Sequence, residues 1–146
     1  MRESATAVTS GTLDGSKVLT IVGKAMVASL FWYSAIFDMA EHWPAAAEFV
    51  AARGLPVPRA LASAAMLFEI IAPAAFLVPR FERWAALSLA AYCLLTAALF
   101  HNFWSLPAAD RGEADFHFFK NVALAGSLLL LERARRKQSG AMASAP

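Results

Sequence analysis

His101-Asn102-Phe103-Trp104 closes one long apolar run of the sequence, and Phe119-Lys120-Asn121-Val122-Ala123-Leu124-Ala125-Gly126 opens the next. In these two stretches, four side chains that can ionise or form hydrogen bonds lie at the ends of segments that otherwise suit a lipid environment. Hydrocarbon offers no water to solvate such groups, so burying them there is costly. We therefore expect either a functional site or hydrogen bonds that join helices at this corner of the fold.

The composition of the whole chain is that of a membrane protein. Of its 146 residues, 59% are hydrophobic and 16% are charged, and the mean hydropathy is +0.51. An ordinary soluble domain has about 45–50% apolar and about 25% charged residues. The net charge of +2 does not indicate a nucleic-acid partner, because the basic residues collect at the ends of apolar segments and in the C-terminal tail, a pattern typical of membrane topology.

Four apolar segments approach or exceed the length needed to cross a bilayer core of about 30 Å. They are residues 18–43, 59–78, 84–104 and 116–131. The last is short for a span, so its helix is expected to run somewhat past Leu131. The stretch PAAAEFVAAR, residues 44–53, begins with proline and ends before a glycine, which predicts a short helix on the membrane surface. The predicted fold class is thus an all-α membrane protein, a four-transmembrane-helix bundle with a short interfacial helix between helices 1 and 2.

Two tails flank the predicted transmembrane domain of residues 18–132. Residues 1–17 are polar and residues 133–146 are basic and rich in small side chains, so both are expected to be flexible. The first apolar segment starts late, is long and contains Lys24, which favours a retained membrane anchor over a cleaved signal peptide.

The distribution of basic residues predicts the orientation of the four spans. An even number of spans places both termini on one side of the membrane. Eight basic residues lie on that side and three on the other: Arg2, Lys17, Arg80, Arg83, Arg133, Arg135, Arg136 and Lys137, against Arg53, Arg59 and Arg111. The excess predicts that both termini are cytoplasmic.

Several ionisable side chains lie within the predicted spans. Glu69 is near the middle of the second span, where a charged and unpaired carboxylate costs at least a few kcal/mol, so it must be protonated or paired. In the first span Lys24, Phe31 and Asp38 recur every seven residues, which predicts an inward-facing stripe. The alternative is that Lys24 snorkels to one interface while Asp38 lies just inside the other.

Under this topology the polar side chains near the outer face come from four helices and share one depth range. A lysine placed between Asp38 and Glu69 would offset the cost of burying all three groups. Two interpretations stay open. The side chains either form interhelical bonds worth about 0.6 kcal/mol each, or they line a pocket for a lipophilic molecule with a polar head, such as a quinone.

On the pocket interpretation, Glu69, His101 and Lys120 are the predicted catalytic residues. Ligand-binding roles are predicted for four more side chains: Asp38, Asn102, Trp104 and Asn121. A haem is disfavoured, because His42, His101 and His117 near one interface do not by themselves supply two inward imidazoles at matched depth, and no metal site is predicted. The single cysteine, Cys93, excludes a disulfide within the chain, so redox chemistry would need a bound cofactor or a partner.

Three parts of the chain carry a resemblance to a known family. They are FWYSAIFDMAEHW at 31–43 with the following ARGLPVP, LFEIIAPAAFLVPRFERWAALSLAAY at 67–92, and HNFW at 101–104 followed by FFKNVALAGSLLLL at 118–131. With these stretches the chain resembles the DoxX family of small four-helix bacterial membrane proteins over most of residues 18–132. The family pattern carries over to Glu69, His101, Lys120, Asn121 and Gly126.

The resemblance implies a protein of the bacterial cytoplasmic (inner) membrane that serves as an oxidoreductase subunit. Some members of the family are linked to thiosulfate:quinone oxidoreduction, and others to membrane-associated complexes that detoxify oxidants. We therefore expect a membrane subunit of a quinone-linked redox complex, surrounded by lipid and bound to a membrane or membrane-associated redox protein, with homo-oligomerisation left open. A non-catalytic structural or assembly subunit is the alternative, and a small-solute transporter is a third.

Overall fold

The structure, a computed structural model, describes the backbone of residues 15–143 and the side chains of residues 15–136. Residues 1–14 of the predicted N-terminal tail and residues 144–146 of the predicted C-terminal tail lie outside the described residues. Gly15 to Lys17, which we assigned to the tail, belong to the first helix.

Five α-helices make up the described part of the chain. They are α1 (Gly15–Tyr33), α2 (Trp43–Ala51), α3 (Pro58–Leu77), α4 (Glu82–Phe100) and α5 (Arg111–Ala143). A π-helical segment, Ser34–Ala40, extends α1, and two single 3-10 turns, Phe103–Ser105 and Ala108–Asp110, connect α4 to α5. Four stretches are long and apolar enough to cross a membrane: Gly15–Ala40, Pro58–Leu77, Glu82–Ser105 and Ala108–Arg136. The predicted all-α bundle of four spans is confirmed.

Small side chains bring the four spans close together. Alanines of α3, α4 and α5 are almost fully buried in the main core, where the absence of long side chains lets neighbouring helix backbones approach. Phe76, Leu89 and Leu128 fill the space between them and are fully buried. A second, smaller cluster joins α2 to the start of α3 through Ala47, Val50 and Ala62.

The first span does not run as one regular helix over residues 18–43. Its turns widen at Ser34 into the π-helical segment, and α2 starts at Trp43 after a short turn. Because a π-helix rotates less per residue than an α-helix, Asp38 is displaced from the stripe that Lys24 and Phe31 define. Phe31 is buried, whereas Asp38 is exposed and lines the cavity described below.

Lys24 has a partner that the sequence pattern did not reveal. Its Nζ lies 2.8 Å from Oε2 of Glu82, and the two side chains are 12% and 11% exposed. The pair joins α1 to the first turn of α4. It also places the start of the first span and the start of the third span at the same end of the bundle.

The last helix is longer than the predicted residues 116–131 at both ends. It begins at Arg111, where the Arg111 Nε donates to the Leu106 carbonyl at 2.8 Å, and it runs to Ala143. The predicted end at Leu131 marks only the end of the apolar run. Beyond it Glu132 pairs with Arg135 and Arg136, three and four residues later, and such pairs, with good helix formers, extend a helix past the bilayer.

We expect the Lys24–Glu82 pair to decide the stability of this end of the bundle. Breaking a buried ion pair by removing one partner leaves an uncompensated charge and costs about 3–5 kcal/mol. Lys24→Met and Glu82→Gln should each lower the thermal unfolding temperature in detergent. The decrease in the double variant should be smaller than the sum of the decreases in the two single variants. Lys17→Met, an exposed lysine of the same helix, is the control. Additive losses in the double variant would contradict the pairing.

Candidate functional site

A cavity of about 440 Å³ lies where the π-helical segment, α2, α3, α4 and α5 meet. One wall is apolar and comes largely from α2, through Ala45, Ala46, Phe49 and Val50. The other walls carry polar side chains: Ser34, Asp38, Glu69, Tyr92, Thr96, His101, His117 and Lys120. A neighbouring cavity of about 90 Å³ shares five of these, Ser34, Glu69, Tyr92, Thr96 and Lys120, so the two form one continuous polar region inside the bundle.

Glu69 occupies the buried centre of this region. It lies on α3, one turn before the buried Pro73, and is 7% exposed. The Tyr92 hydroxyl on α4 donates to its Oε1 at 2.6 Å. Its Oε2 is fully buried and has no hydrogen bond within 3.5 Å among the described side chains and backbone, although the Ser34 hydroxyl lies near enough to the carboxyl group to interact with it. A buried polar atom without a partner is rare and calls for a ligand or water that completes it.

Lys120 borders the same region from α5 and is joined to a pair of imidazoles. Its Nζ lies 3.0 Å from His117 Nδ1, one turn earlier on the helix. An ammonium can only donate, so Nδ1 accepts and the proton of neutral His117 is on Nε2, which faces Glu113 Oε1 at 3.9 Å. The His117 ring stacks on His101, with centroids 5.0 Å apart and planes 19° from parallel.

Asp38 reaches the cavity from the π-helical segment. The backbone N–H of Glu41 donates to the Ile36 carbonyl at 3.1 Å, a five-residue bond that closes the widened turns. Short π-helical insertions in membrane and soluble helices often occur at functional sites, because they turn a side chain away from the helical register. Among the described side chains, neither Asp38 nor Glu69 lies within 4 Å of the Lys120 ammonium. Lys120 therefore does not form the predicted ion pairs with these acids.

The structure brings five of the seven predicted site residues to this polar region. Asp38, Glu69, His101 and Lys120 line the larger cavity. Asn121 lines the smaller one, although its amide donates to the His117 carbonyl at 3.0 Å. Asn102 and Trp104 line neither of the two cavities.

Asn102 instead fastens α2 to the end of α4. Arg53 donates from Nη1 to Asn102 Oδ1 at 2.8 Å and from Nη2 to the Phe100 carbonyl at 2.7 Å. Phe49 of α2 stacks on Phe100 with centroids 5.3 Å apart. These contacts hold in place the helix that supplies the apolar wall of the cavity. Trp104 is exposed and packs edge-on against Phe118, as a tryptophan at a membrane interface does.

Tyr92 and Thr96 are site residues that the sequence reasoning missed. They lie in the Ala- and Leu-rich run of α4, which we interpreted as a packing surface only. A tyrosine buried in a span needs a partner for its hydroxyl, and that requirement was a usable signal. His117 was considered only as a possible haem ligand and was assigned no role at the site.

The arrangement combines hydrogen-bond acceptors, donors and exchangeable protons in a partly apolar cavity. The carboxyl groups of Glu69 and Asp38 accept when ionised, and the Lys120 ammonium keeps two N–H groups beyond the one directed at His117. Imidazoles can donate and accept through their two nitrogens. Such a set suits a small molecule whose polar atoms are oxygens and whose body is apolar.

Comparison with known proteins identifies the relatives of the chain. The DoxX family model matches residues 19–102, a range that includes Asp38, Glu69, Tyr92 and His101 and ends before α5. The protein described as "Inner membrane protein YphA" of Escherichia coli (strain K12) is 32% identical over 84 residues, which are 58% of this chain and 60% of that protein. No solved structure matches the chain. Since the family model covers more than half of its residues, this four-span membrane protein belongs to the DoxX family.

Proposed function

We propose that the chain is the ligand-binding membrane subunit of a quinone-linked redox complex, and that its polar cavity takes the head group of a quinone or a similar small molecule. The observation that carries the proposal is the unpaired, buried Oε2 of Glu69 in a region that the Lys120 ammonium also borders. An acid and a base that share a cavity without contacting each other leave room for a ligand between them.

The dimensions and the lining of the cavity support this proposal. Its volume of about 440 Å³ falls within the roughly 300–1,000 Å³ typical of small-molecule sites. A flat, weakly polar ring suits the apolar wall that Phe49 and Val50 provide, and an aliphatic tail could leave toward lipid. The few convergent polar groups opposite that wall would fix the orientation of the ring.

The residues of this chain would have separate roles toward such a ligand. Lys120 and His101 would donate hydrogen bonds to a carbonyl oxygen, while Glu69, held by Tyr92, would take up or release a proton. Asp38 would exchange protons at the open side of the cavity. A bound quinone supplies two-electron, two-proton redox chemistry, and Asn102 would act indirectly by holding Arg53 and the α2 wall.

A partner protein would exchange electrons with the bound ligand. The chain has one cysteine and so cannot form a dithiol pair of its own, which supports a redox partner at the membrane. We also propose that the protein lies in the bacterial inner membrane with both termini in the cytoplasm. The name of the Escherichia coli relative and the excess of basic residues on the terminal side support this placement.

Purification of the tagged full chain in mild detergent, with an optical spectrum and mass spectrometry of the lipid extract, tests the proposal directly. We expect quinone in the extract of the purified chain and a redox protein in the complex it forms. Redox subunits that co-purify while the chain itself holds no quinone would contradict the cavity assignment and favour a structural or assembly subunit.

Lys120→Met should weaken the binding of a short-chain, water-soluble quinone. A hydrogen bond from a charged donor is worth about 1.5–3 kcal/mol, so the dissociation constant measured by titration in detergent should rise about tenfold or more. Lys17→Met removes the same charge from an exposed position of α1 and should leave the constant unchanged. Equal affinities for Lys120→Met and the wild-type protein would rule out Lys120 as a ligand donor.

Tyr92→Phe should destabilise the bundle, because it removes the hydrogen bond that the Tyr92 hydroxyl donates to Oε1 of the buried Glu69. The expected loss is about 1–3 kcal/mol, measured as thermal unfolding in detergent. Tyr33→Phe, at an exposed tyrosine of α1, is the matched control. In a Glu69→Gln background the cost of Tyr92→Phe should become smaller; an unchanged cost there would show that the Tyr92 hydroxyl is not stabilised by Glu69.

A further inference from the structure

The opposite end of the bundle holds a second cluster of charges, to which the proposed function assigns no role. Glu132 of α5 is 4% exposed and faces three guanidinium groups. Its carboxylate lies 2.7 Å from Arg136 Nε, 3.0 Å from Arg135 Nε and 3.7 Å from Arg83 Nε. Beside this group lies the Lys24–Glu82 pair, whose carboxylate also attracts Arg135. We call these six residues the basic cluster.

The basic cluster is not electrically balanced. Its four cations, Lys24, Arg83, Arg135 and Arg136, face two carboxylates, so two positive charges remain uncompensated. Lys24 and Glu82 balance each other in their close pair, which leaves three guanidinium groups to share Glu132. Each guanidinium has five N–H donors in a planar fork, and in each of the three contacts Nε is the atom nearest the carboxylate. Among the side chains that the structure describes, no other acceptor holds the remaining donors, so they can bind a second anion.

These arginines are accessible at the surface of the bundle. The side chains of Arg83, Arg135 and Arg136 are 44%, 32% and 54% exposed. The Arg83 guanidinium packs over the exposed Trp84 ring at 5.2 Å, and Arg80 packs over the exposed Phe81 ring at 5.9 Å. Exposed aromatic rings at the end of a span mark the level of the lipid head groups. We therefore expect the donors of these arginines to lie near the depth of the lipid phosphates.

We propose that Arg83, Arg135 and Arg136 bind the phosphodiester group of an anionic phospholipid between the start of α4 and the end of the membrane-spanning part of α5. Guanidinium forks match phosphate oxygens in geometry and charge, and basic pockets between spans bind anionic head groups. Trp84 and Phe81 favour a lipid over a free phosphate ion, because they offer apolar contact to the acyl chains and glycerol. The site lies at the other end of α4 from the cavity and does not depend on the proposed quinone.

Titration of the purified full chain with phosphatidylglycerol in a neutral detergent tests the site. Retained lipid is counted by native mass spectrometry, and stabilisation is followed by thermal unfolding. Removal of one arginine near the membrane surface should raise the dissociation constant of the lipid about fivefold. The double variant Arg83→Gln/Arg136→Gln should therefore raise it about 25-fold. The matched control removes two exposed arginines outside the basic cluster, with Arg59→Gln and Arg133→Gln, and should retain the lipid.

Glu132→Gln gives a second, opposite readout. Without its carboxylate the three arginines repel one another, so the lipid-free protein should unfold at a lower temperature, while phosphatidylglycerol should raise the unfolding temperature by more than in the wild-type protein. A purely structural Glu132 would lower stability without enlarging that increase, which would overturn the proposal. Equal stabilisation by phosphatidylcholine, equal stabilisation by inorganic phosphate alone, or an equal loss in the control variant would also overturn it.

Discussion

The burial of ionisable side chains among apolar helices is the constraint on which both ends of the bundle depend. Hydrocarbon cannot solvate a charge, so each such group needs a partner within the protein or at its surface. At one end both buried carboxylates have partners within the chain, because Lys24 pairs with Glu82 at 2.8 Å and three arginines surround Glu132. At the other end Glu69 keeps an oxygen unpaired. The end with the ion pairs therefore holds the spans together, whereas the end with Glu69 contains the cavity.

The open end exists because the backbone departs from regular helix there. A continuous α-helix over the first span would carry Asp38 on the side of Lys24 and Phe31, whereas the π-helical segment at Ser34–Ala40 turns it and lets the chain reverse into α2. The α2 helix then lies over the gap, and the Arg53 bonds to Asn102 and to the Phe100 carbonyl fix it there. The cavity is thus a product of local geometry in the first span together with one long-range anchor.

Composition and hydropathy were sufficient to predict the spans, the short helix between the first two, and the polar corner with Glu69, His101 and Lys120, because each is a local property of the sequence. The partner of Lys24 was not predictable in this way. Glu82 lies in a charged turn that looks solvated, and only the packing of α1 against α4 brings the two together. Asn102 was predicted to bind the ligand because it follows His101. Its side-chain oxygen instead accepts a hydrogen bond from Arg53, which is distant in the sequence. The last helix was expected to pass Leu131, but its continuation to Ala143 was not predicted, because the basic residues after the apolar run were assigned to a flexible tail.

The position of Lys120 favours the proposed ligand site over a purely structural network. If the polar groups served only to join helices, Lys120 would be expected to approach Glu69, because a buried acid without a nearby cation bears the cost of desolvation. Lys120 instead contacts His117 on its own helix, and the imidazole it contacts stacks on His101 from the end of α4. The protein thereby holds its donors on one wall and its acid on another. Such separation costs stability, and buried groups left unsatisfied in this way tend to be retained where a ligand completes them.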